Sequence, residues 1–352
     1  MTAYLVWLAG LTASLVVSGM ESLRAVIDQV ALESGFSGVV RVDHAGETVV
    51  CAAFGMADRA HSIANTLETQ FGIASGTKGL TALTVMALVE RGSFHLDTTA
   101  RSLLGDRLPQ IADDVTVEHL LAHRSGIGDY LDEEAIESIS DYLMPVPVQD
   151  LATTDDYVRI LDAPTVFPAG ERFAYNNAGY VVLAALAEAA TGETFHDLVA
   201  DLVCRPAGIR DTAFLRSDEL PGRVAQGYLR SEGLWTNVLH LPVRGNGDGG
   251  LHTTVADLHA LWEAIFAGRI VRPATLARMV SPHSDWPEES RRYGLGFHLH
   301  ARTDEVFLEG YDAGVSFLSR YRPSEALTST VIANWSEGAW PLSKAIREHL
   351  DG

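Results

Sequence analysis

The sequence predicts an α/β protein of the α+β type, in which both ends of the chain contribute strands to one antiparallel sheet. Short alternating or β-branched segments occur near the N-terminus and again from Tyr293 onward. The middle of the chain carries mainly helix-like segments, and amphipathic stretches stand near both termini. The economical arrangement is a sheet flanked by terminal helices, with a large helical insertion between its strands.

This arrangement divides the chain into parts of different character. Residues 20–74 and 290–352 are expected to form the sheet subdomain, and residues 75–289 the mostly helical one. Together they would form one catalytic domain, with the site where the two parts meet. Residues 1–19 are expected to be peripheral to the fold.

The N-terminal segment has the apolar length of an export signal, but no Lys or Arg precedes Arg24. The basic flank that normally accompanies such a signal is therefore missing. Met20 opens an amphipathic pattern that predicts a helix ending at Gly35. We expect Met20 to be the natural start and the protein to be cytoplasmic, without a stable membrane anchor. Export is the alternative if residues 1–19 act as a signal.

The charge balance limits the classes of partner. The chain has 352 residues and a net charge of −20. A surface of this sign repels phosphate backbones, so nucleic acid is not an expected partner.

Turn residues and hydrophobic periodicity predict the individual elements. In chain order they are a hairpin of strands 36–43 and 48–54, helices near 75–91, 117–122, 178–190, 195–203 and 254–267, strands near 294–300, 306–308, 315–321 and 327–335, and a final helix over 340–350.

Between residues 128 and 150 the chain is acidic and contains no basic residue. A solvated face is the favoured interpretation, and an acidic lid over the site is the alternative. The acidic residues are Asp129, Asp132, Glu133, Glu134, Glu137 and Asp141.

Ser75 and Lys78 form a Ser-x-x-Lys pattern at the start of an apolar helix. Three residues are about one helical turn, so both side chains can lie on one face. A serine hydroxyl becomes a good nucleophile when a base takes its proton. Burial and the helix N-terminus both lower the pKa of a lysine, which fits it for that role. A helix cap beside a solvated lysine is the structural alternative.

The tetrad belongs to the first of five segments that occur in order along the chain. They read FGIASGTK at 71–78, LLAHRSG at 120–126, FPAG with YNN at 167–177, PAGIRDT at 206–212 and GGLHTT at 249–254. Together they resemble the serine β-lactamase and penicillin-binding protein superfamily. The closest branch contains class C β-lactamases, D-alanyl-D-alanine carboxypeptidases, D-aminopeptidases and esterases. The resemblance covers the chain from about Leu23 to the C-terminus.

The resemblance implies a serine hydrolase that acts through an acyl-enzyme on a small ester or amide and needs no cofactor. Ser75 matches the nucleophile, Lys78 and Tyr175 its proton-transfer pair, and Asn177 the amide that binds substrate. Residues two apart in an extended segment point the same way, so Tyr175 and Asn177 can both face the site. For this pair alone, a buried tyrosine beside a turn asparagine is the structural alternative.

The third motif departs from the family. Its Lys-Thr-Gly, His-x-Gly or Trp-Gly-Gly position corresponds here to Leu308, Glu309 and Gly310, without a cation. The resemblance then leaves backbone groups: the N–H groups of Ser75 and Tyr311 would hold the oxyanion. Such donors contribute about 3–4 kcal/mol each in the transition state.

The family's third-motif cation normally pairs with a substrate carboxylate, whereas Glu309 would repel one if it faces the site. We therefore expect turnover of neutral esters, or of amides that bear a free amine, rather than of β-lactams or peptide C-termini. D-aminopeptidase or DD-peptidase/β-lactamase activity is one alternative. A catalytically impaired penicillin-binding-like sensor or scaffold is another.

Two histidine pairs suggest other roles. His119 and His123 are one helical turn apart, as in a zinc pair, but no third ligand is evident, so packing is favoured and no metal is expected. His298 and His300 alternate on a predicted strand, and one of them could replace the missing cation.

Overall fold

The structure is a computed structural model that describes residues 22–131 and 138–351. The predicted start at Met20, the segment 1–19 and four of the acidic residues, Asp132, Glu133, Glu134 and Glu137, lie outside these ranges. Within them, no helix has both the length and the apolar character needed to cross a bilayer.

The described residues contain twelve strands. They are β1 Gly38–His44, β2 Glu47–Phe54, β3 Met56–Asp58, β4 Ile63–Ala64, β5 Phe71–Gly72, β6 His252–Thr253, β7 Ser284–Trp286, β8 Arg291–Tyr293, β9 His298–His300, β10 Val306–Asp312, β11 Val315–Arg322 and β12 Leu327–Ala333. Eight of them form one antiparallel sheet in the order β2-β1-β12-β11-β10-β9-β8-β7, and β3-β4 and β5-β6 form small pairs. The predicted sheet from both ends of the chain is confirmed, since β1 pairs with β12 along its whole length.

The helices surround this sheet and fill the middle of the chain. They are α1 at residues 22–34, α2 Thr77–Arg91, α3 Ala100–Leu104, α4 Val117–Leu121, α5 Thr154–Val158, α6 Ala178–Thr191, α7 Phe195–Val199, α8 Arg205–Ala207, α9 Val255–Phe266, α10 Pro273–Met279 and α11 Ala339–Asp351.

Each face of the sheet buries a separate apolar layer, because successive strand residues point to opposite sides. Val40 packs with the terminal helices α1 and α11, whereas its neighbour Val39 packs with the helical part. The terminal-helix layer includes Leu23, Ile27, Ala31, Phe36, Val42, Val331, Leu342 and Ile346. The other layer buries α2, which is apolar nearly all round, as the sequence predicts.

Local sequence signals explain most element ends. Ala45 and Gly46 have φ of 51° and 85°, which makes the two-residue turn that joins β1 to β2. Gly192 ends α6 in the left-handed conformation. The helix predicted over 195–203 differs: α7 ends at Val199 and continues as a π-helical turn to Cys204. Pro206 has no N–H to donate, so the α-helical hydrogen-bond pattern is interrupted there.

A buried polar network connects α9 to the sheet. His259 Nδ1 lies 2.7 Å from an Asp43 carboxylate oxygen of β1, and its Nε2 lies 3.1 Å from Thr330 Oγ1 of β12. Burial lowers the pKa of His259, so a neutral ring that donates from Nδ1 fits this site. Burial alone would raise the pKa of Asp43, but hydrogen bonds from His259 and Arg41 hold it well below its usual range.

We expect His259→Ala to lower the free energy of unfolding by about 2–4 kcal/mol at pH 7, through a cavity and a lost hydrogen bond to Asp43. The pKa of His259 in the folded protein is below its unfolded value of about 6.5. Its contribution to the free energy of unfolding is therefore present above pH 6.5 and is lost as the pH falls. The Asp43 contribution is lost only below about pH 4.

Urea unfolding followed by circular dichroism at pH 7 and pH 5 measures this effect. The wild type should lose more stability between these pH values than His259→Ala. The exposed His95→Ala is the matched control and should behave as wild type at pH 7. Equal pH dependence in the wild type and His259→Ala would contradict the expectation.

Candidate active site

Ser75 lies in a 3₁₀ turn, Ala74–Gly76, directly before α2 rather than inside the helix. Ala74 has φ of 44°, a conformation that costs a non-glycine residue about 1–3 kcal/mol and that clusters at functional sites. The turn is closed by Gly76 N–H, which donates to the Ile73 carbonyl at 2.8 Å. The turn therefore holds the Ser75 hydroxyl at one end of a buried helix.

Lys78 is 2% exposed and its ammonium connects three segments. Its Nζ donates to Ser75 Oγ at 2.9 Å, to Asn177 Oδ1 at 2.8 Å and to the Asp248 backbone carbonyl at 2.8 Å. A buried cation needs such partners, because an unpaired one costs several kcal/mol. The predicted pair of Ser75 and Lys78 is thus in direct contact, and Asn177 joins it.

Tyr175 stands beside this cation. Lys78 Nζ lies 4.9 Å from the centre of the Tyr175 ring. The Tyr175 ring also packs against His123, with centroids 4.4 Å apart. His123 Nδ1 accepts the Asn176 N–H at 3.1 Å, and burial lowers the pKa of His123 well below its usual value. His123, expected only to pack, is therefore a neutral ring that supports Tyr175.

Asn177 is positioned by Asp129, a residue that the sequence analysis placed only in the acidic segment. The Asp129 carboxylate accepts the N–H groups of Asn177 at 2.6 Å and Ala178 at 3.1 Å, at the N-terminus of α6. Burial raises the pKa of Asp129 to about 6, although these hydrogen bonds oppose the shift. Asp129 caps α6 from a position 48 residues before Asn177, so no local sequence pattern indicates this contact.

Residues 245–250 contain four glycines and line the site. An added Cβ at Gly247 would lie 2.2 Å from the Tyr180 carbonyl oxygen, so glycine allows close packing on α6. The Asp248 carboxyl group is buried, accepts a hydrogen bond from the Tyr130 hydroxyl, and has a pKa raised by burial. Asp248 is a second residue that sequence reasoning missed.

The structure corrects the expectation that Glu309 repels substrate carboxylates. Arg291 forms two hydrogen bonds with the Glu309 carboxylate, at 2.8 and 3.0 Å. Burial would raise the pKa of Glu309, but the hydrogen bond and the charge of Arg291 lower it. The negative charge is therefore balanced, and among the described residues Glu309 does not line the cavity at Ser75.

The other two third-motif residues, Leu308 and Gly310, allow β10 to pack closely on α2 and on the turn that carries Ser75. Leu308 is buried and faces α2, where an added Cβ at Gly79 would lie 2.4 Å from it. At Gly310 an added Cβ would lie 2.0 Å from the Ile73 carbonyl oxygen, so β10 touches the turn that carries Ser75. Gly310 itself does not line the cavity, whereas the following residue, Tyr311, does. Its hydroxyl donates to Glu337.

The two strand histidines have different surroundings. His298 lies with its ring centre 6.4 Å from that of Tyr175, but burial lowers its pKa to about 4, so it is neutral at pH 7 and does not replace the missing cation. His300 Nδ1 accepts hydrogen bonds in the turn after β9. His119 completes a capping box with Thr116 at the start of α4. Within the described ranges, no group of three or more His, Cys, Asp or Glu side chains could hold a metal ion.

A cavity of about 130 Å³ opens at Ser75 and Asn177. Its described lining includes the carboxylates Asp248 and Asp312, but no Lys or Arg side chain. Apolar side chains also line the cavity, and together we call them its apolar wall: Leu131, Met144, Leu215, Leu220, Val238, Leu241 and Val243. The cavity therefore places the Ser75 hydroxyl beside an apolar and acidic surface.

Comparisons with known proteins agree with this fold. The beta-lactamase family model matches residues 23–351. Esterase EstB of Burkholderia gladioli is 36% identical over 321 residues, which cover 82% of this chain and 81% of EstB. The penicillin-binding protein PbpX of Bacillus subtilis (strain 168) is 26% identical over 269 residues, 76% of this chain. The match spans only 63% of PbpX, less than two thirds of its length.

Among solved structures, the crystal structure of a penicillin binding protein from Bacillus halodurans matches with a TM-score of 0.86 and 33% identity. The match covers 92% of this chain and 99% of the Bacillus halodurans chain. These matches confirm the predicted superfamily and fold, and the names of the relatives support a serine hydrolase.

We expect Gly310→Ala to reduce kcat/KM for an ester substrate at least tenfold. The new methyl group must push β10 away from the turn that carries Ser75, and a displacement of about 1 Å at a reacting group can cost about 100-fold in rate. Steady-state kinetics and a thermal melt of the same preparations measure activity and folding separately.

Gly222→Ala is the matched control, because nothing lies within 4 Å of its added Cβ. Wild-type kcat/KM in Gly310→Ala would show that the close approach of β10 does not position the turn.

Proposed function

The chain belongs to the beta-lactamase family, and we propose that it hydrolyses small esters through an acyl-enzyme on Ser75. The observation that carries this proposal is the 2.9 Å contact between Lys78 Nζ and Ser75 Oγ beside an open cavity. A serine in that contact has a proton acceptor within reach once the lysine or its tyrosine neighbour is deprotonated.

In the proposed reaction, Ser75 Oγ attacks the ester carbonyl while its proton passes to the pair of Lys78 and Tyr175. The backbone N–H groups of Ser75 and Tyr311 hold the oxyanion, and the contact of Gly310 with the Ser75 turn supports this placement. Tyr175 then protonates the leaving alcohol. Water attacks the acyl-enzyme, gives its proton to the same pair, and releases the acid.

The charge of the cavity favours uncharged substrates. A substrate carboxylate would meet Asp248 and Asp312 and find no Lys or Arg among the described lining residues. Glu309 does not contribute to this repulsion, because Arg291 balances its charge. The two carboxylates also favour a second candidate, an amide or ester that bears a free amine, as a D-aminopeptidase would use.

Labelling with a fluorophosphonate probe tests whether Ser75 is the nucleophile. We expect labelling of the wild type to be rapid and of Ser75→Ala to be absent. Ser217→Ala is the matched control, since Ser217 also lines the cavity and is exposed. Labelling of Ser75→Ala at the wild-type rate would place the nucleophile elsewhere. Labelling without ester turnover would favour a sensor, and absence of labelling in the wild type a scaffold.

Substrate charge provides a separate prediction. We expect kcat/KM for p-nitrophenyl acetate to exceed that for benzylpenicillin at least 100-fold, because the β-lactam carboxylate lacks a cationic partner and meets like charges. Product formation followed by absorbance under matched conditions measures both. Comparable values for the two substrates would contradict an ester preference.

A further inference from the structure

The mouth of the cavity carries an unusual set of exposed apolar side chains. We call it the apolar rim, and it consists of Leu143, Trp235, Val238, Leu239 and Tyr311. Leu143, Trp235, Val238 and Leu239 are between 55% and 70% exposed, and Tyr311 is 39% exposed. Single exposed apolar residues are ordinary, but a group of them beside a cleft marks a binding surface.

The apolar rim continues the wall of the cavity. Val238 and Tyr311 themselves line the cavity, and Leu239 stands between lining residues 238 and 240. Leu143 likewise stands between lining residues 142 and 144. The ring of Trp235 lies 6.4 Å from that of His240, another lining residue. Val238 and Tyr311 therefore belong both to the lining of the cavity and to the exposed surface of the protein.

The loop that carries Trp235, Val238 and Leu239 is fixed by hydrogen bonds. Its Asn237 donates from the side chain to the Ala313 carbonyl at 2.9 Å and from the backbone to the Gly227 carbonyl at 3.0 Å. The Trp235 carbonyl accepts the Leu229 N–H at 3.0 Å. The first bond connects the loop to the turn after β10 and the other two connect it to residues 227–229, so hydrogen bonds hold this part of the rim in place.

We propose that the apolar rim binds an extended alkyl or aromatic group of the ester substrate while its carbonyl lies at Ser75. The inference rests on the proposed function and names its substrate class: esters with an apolar chain longer than the inner cavity can enclose. Continuity of the rim with the cavity favours this occupant. An anionic lipid surface is disfavoured by the net charge of −20.

A chain-length series tests the proposal. In the wild type, kcat/KM for p-nitrophenyl esters should rise about twofold to fourfold per added methylene from acetate to octanoate, as the chain leaves water. In the double variant Trp235→Ser/Leu239→Ser, the ratio of kcat/KM for the octanoate ester to kcat/KM for the acetate ester should fall at least tenfold. Leu239→Ser alone should give a smaller decrease, and thermal melts verify folding. Leu32→Ser, 86% exposed on α1, is the matched control and should keep the wild-type ratio.

A second series, alkyl acetates of increasing length, distinguishes an apolar alcohol from an apolar acyl group. Loss of the length dependence in the double variant, in either series, supports the proposal. An unchanged ratio in both series overturns it. A second result also overturns it: the wild type sediments as a dimer, the double variant sediments as a monomer, and the ratio of kcat/KM values is the same in both. The rim would then join two copies of the chain. If the wild type turns over no acetate ester at all, the proposed function fails instead.

Discussion

The site depends on the burial of one ammonium group. Lys78 is removed from water in the middle of the protein, and its charge is compensated by Ser75, Asn177 and the Asp248 carbonyl. These partners come from the turn before α2, the start of α6 and the loop before β6. Because an uncompensated buried charge costs several kcal/mol, the three segments stabilise the fold only when they converge. The geometry needed for the proposed chemistry and the geometry needed to bury Lys78 are therefore the same.

Close backbone packing sets the second constraint. Gly310 lets β10 touch the turn that carries Ser75, and Gly76 leaves room for Phe317 of β11, which an added Cβ would approach to 2.4 Å. Gly79 in turn accommodates Leu308. The sheet thus holds the turn and the first part of α2 by direct contact. The strained φ of Ala74 is retained because this packing fixes the turn from the sheet side.

How much could be predicted from the sequence depends on the separation of the partners. The hairpin, the buried α2 and the alternation of strands at the C-terminal end follow from local patterns, and so does the pairing of Ser75 with Lys78. Asp129 and Asp248 carry no such pattern, because their partners are distant along the chain. The pairing of Glu309 with Arg291 brings together β10 and β8, and periodicity cannot reveal which charges meet across strands.

The absence of a cation in the third motif has a consistent physical explanation around Tyr175. Where the family carries Lys or His, this chain has Leu308, which packs on α2. The nearby His298 is buried and neutral, and the charge of Arg291 on β8 is balanced by Glu309. Lys78 is therefore the positive charge next to the tyrosine ring within the described residues. A substrate carboxylate would have to share that one charge with the catalytic groups. Under the proposed function, binding energy would then come from surfaces that need no charge, and the apolar wall and the apolar rim are such surfaces.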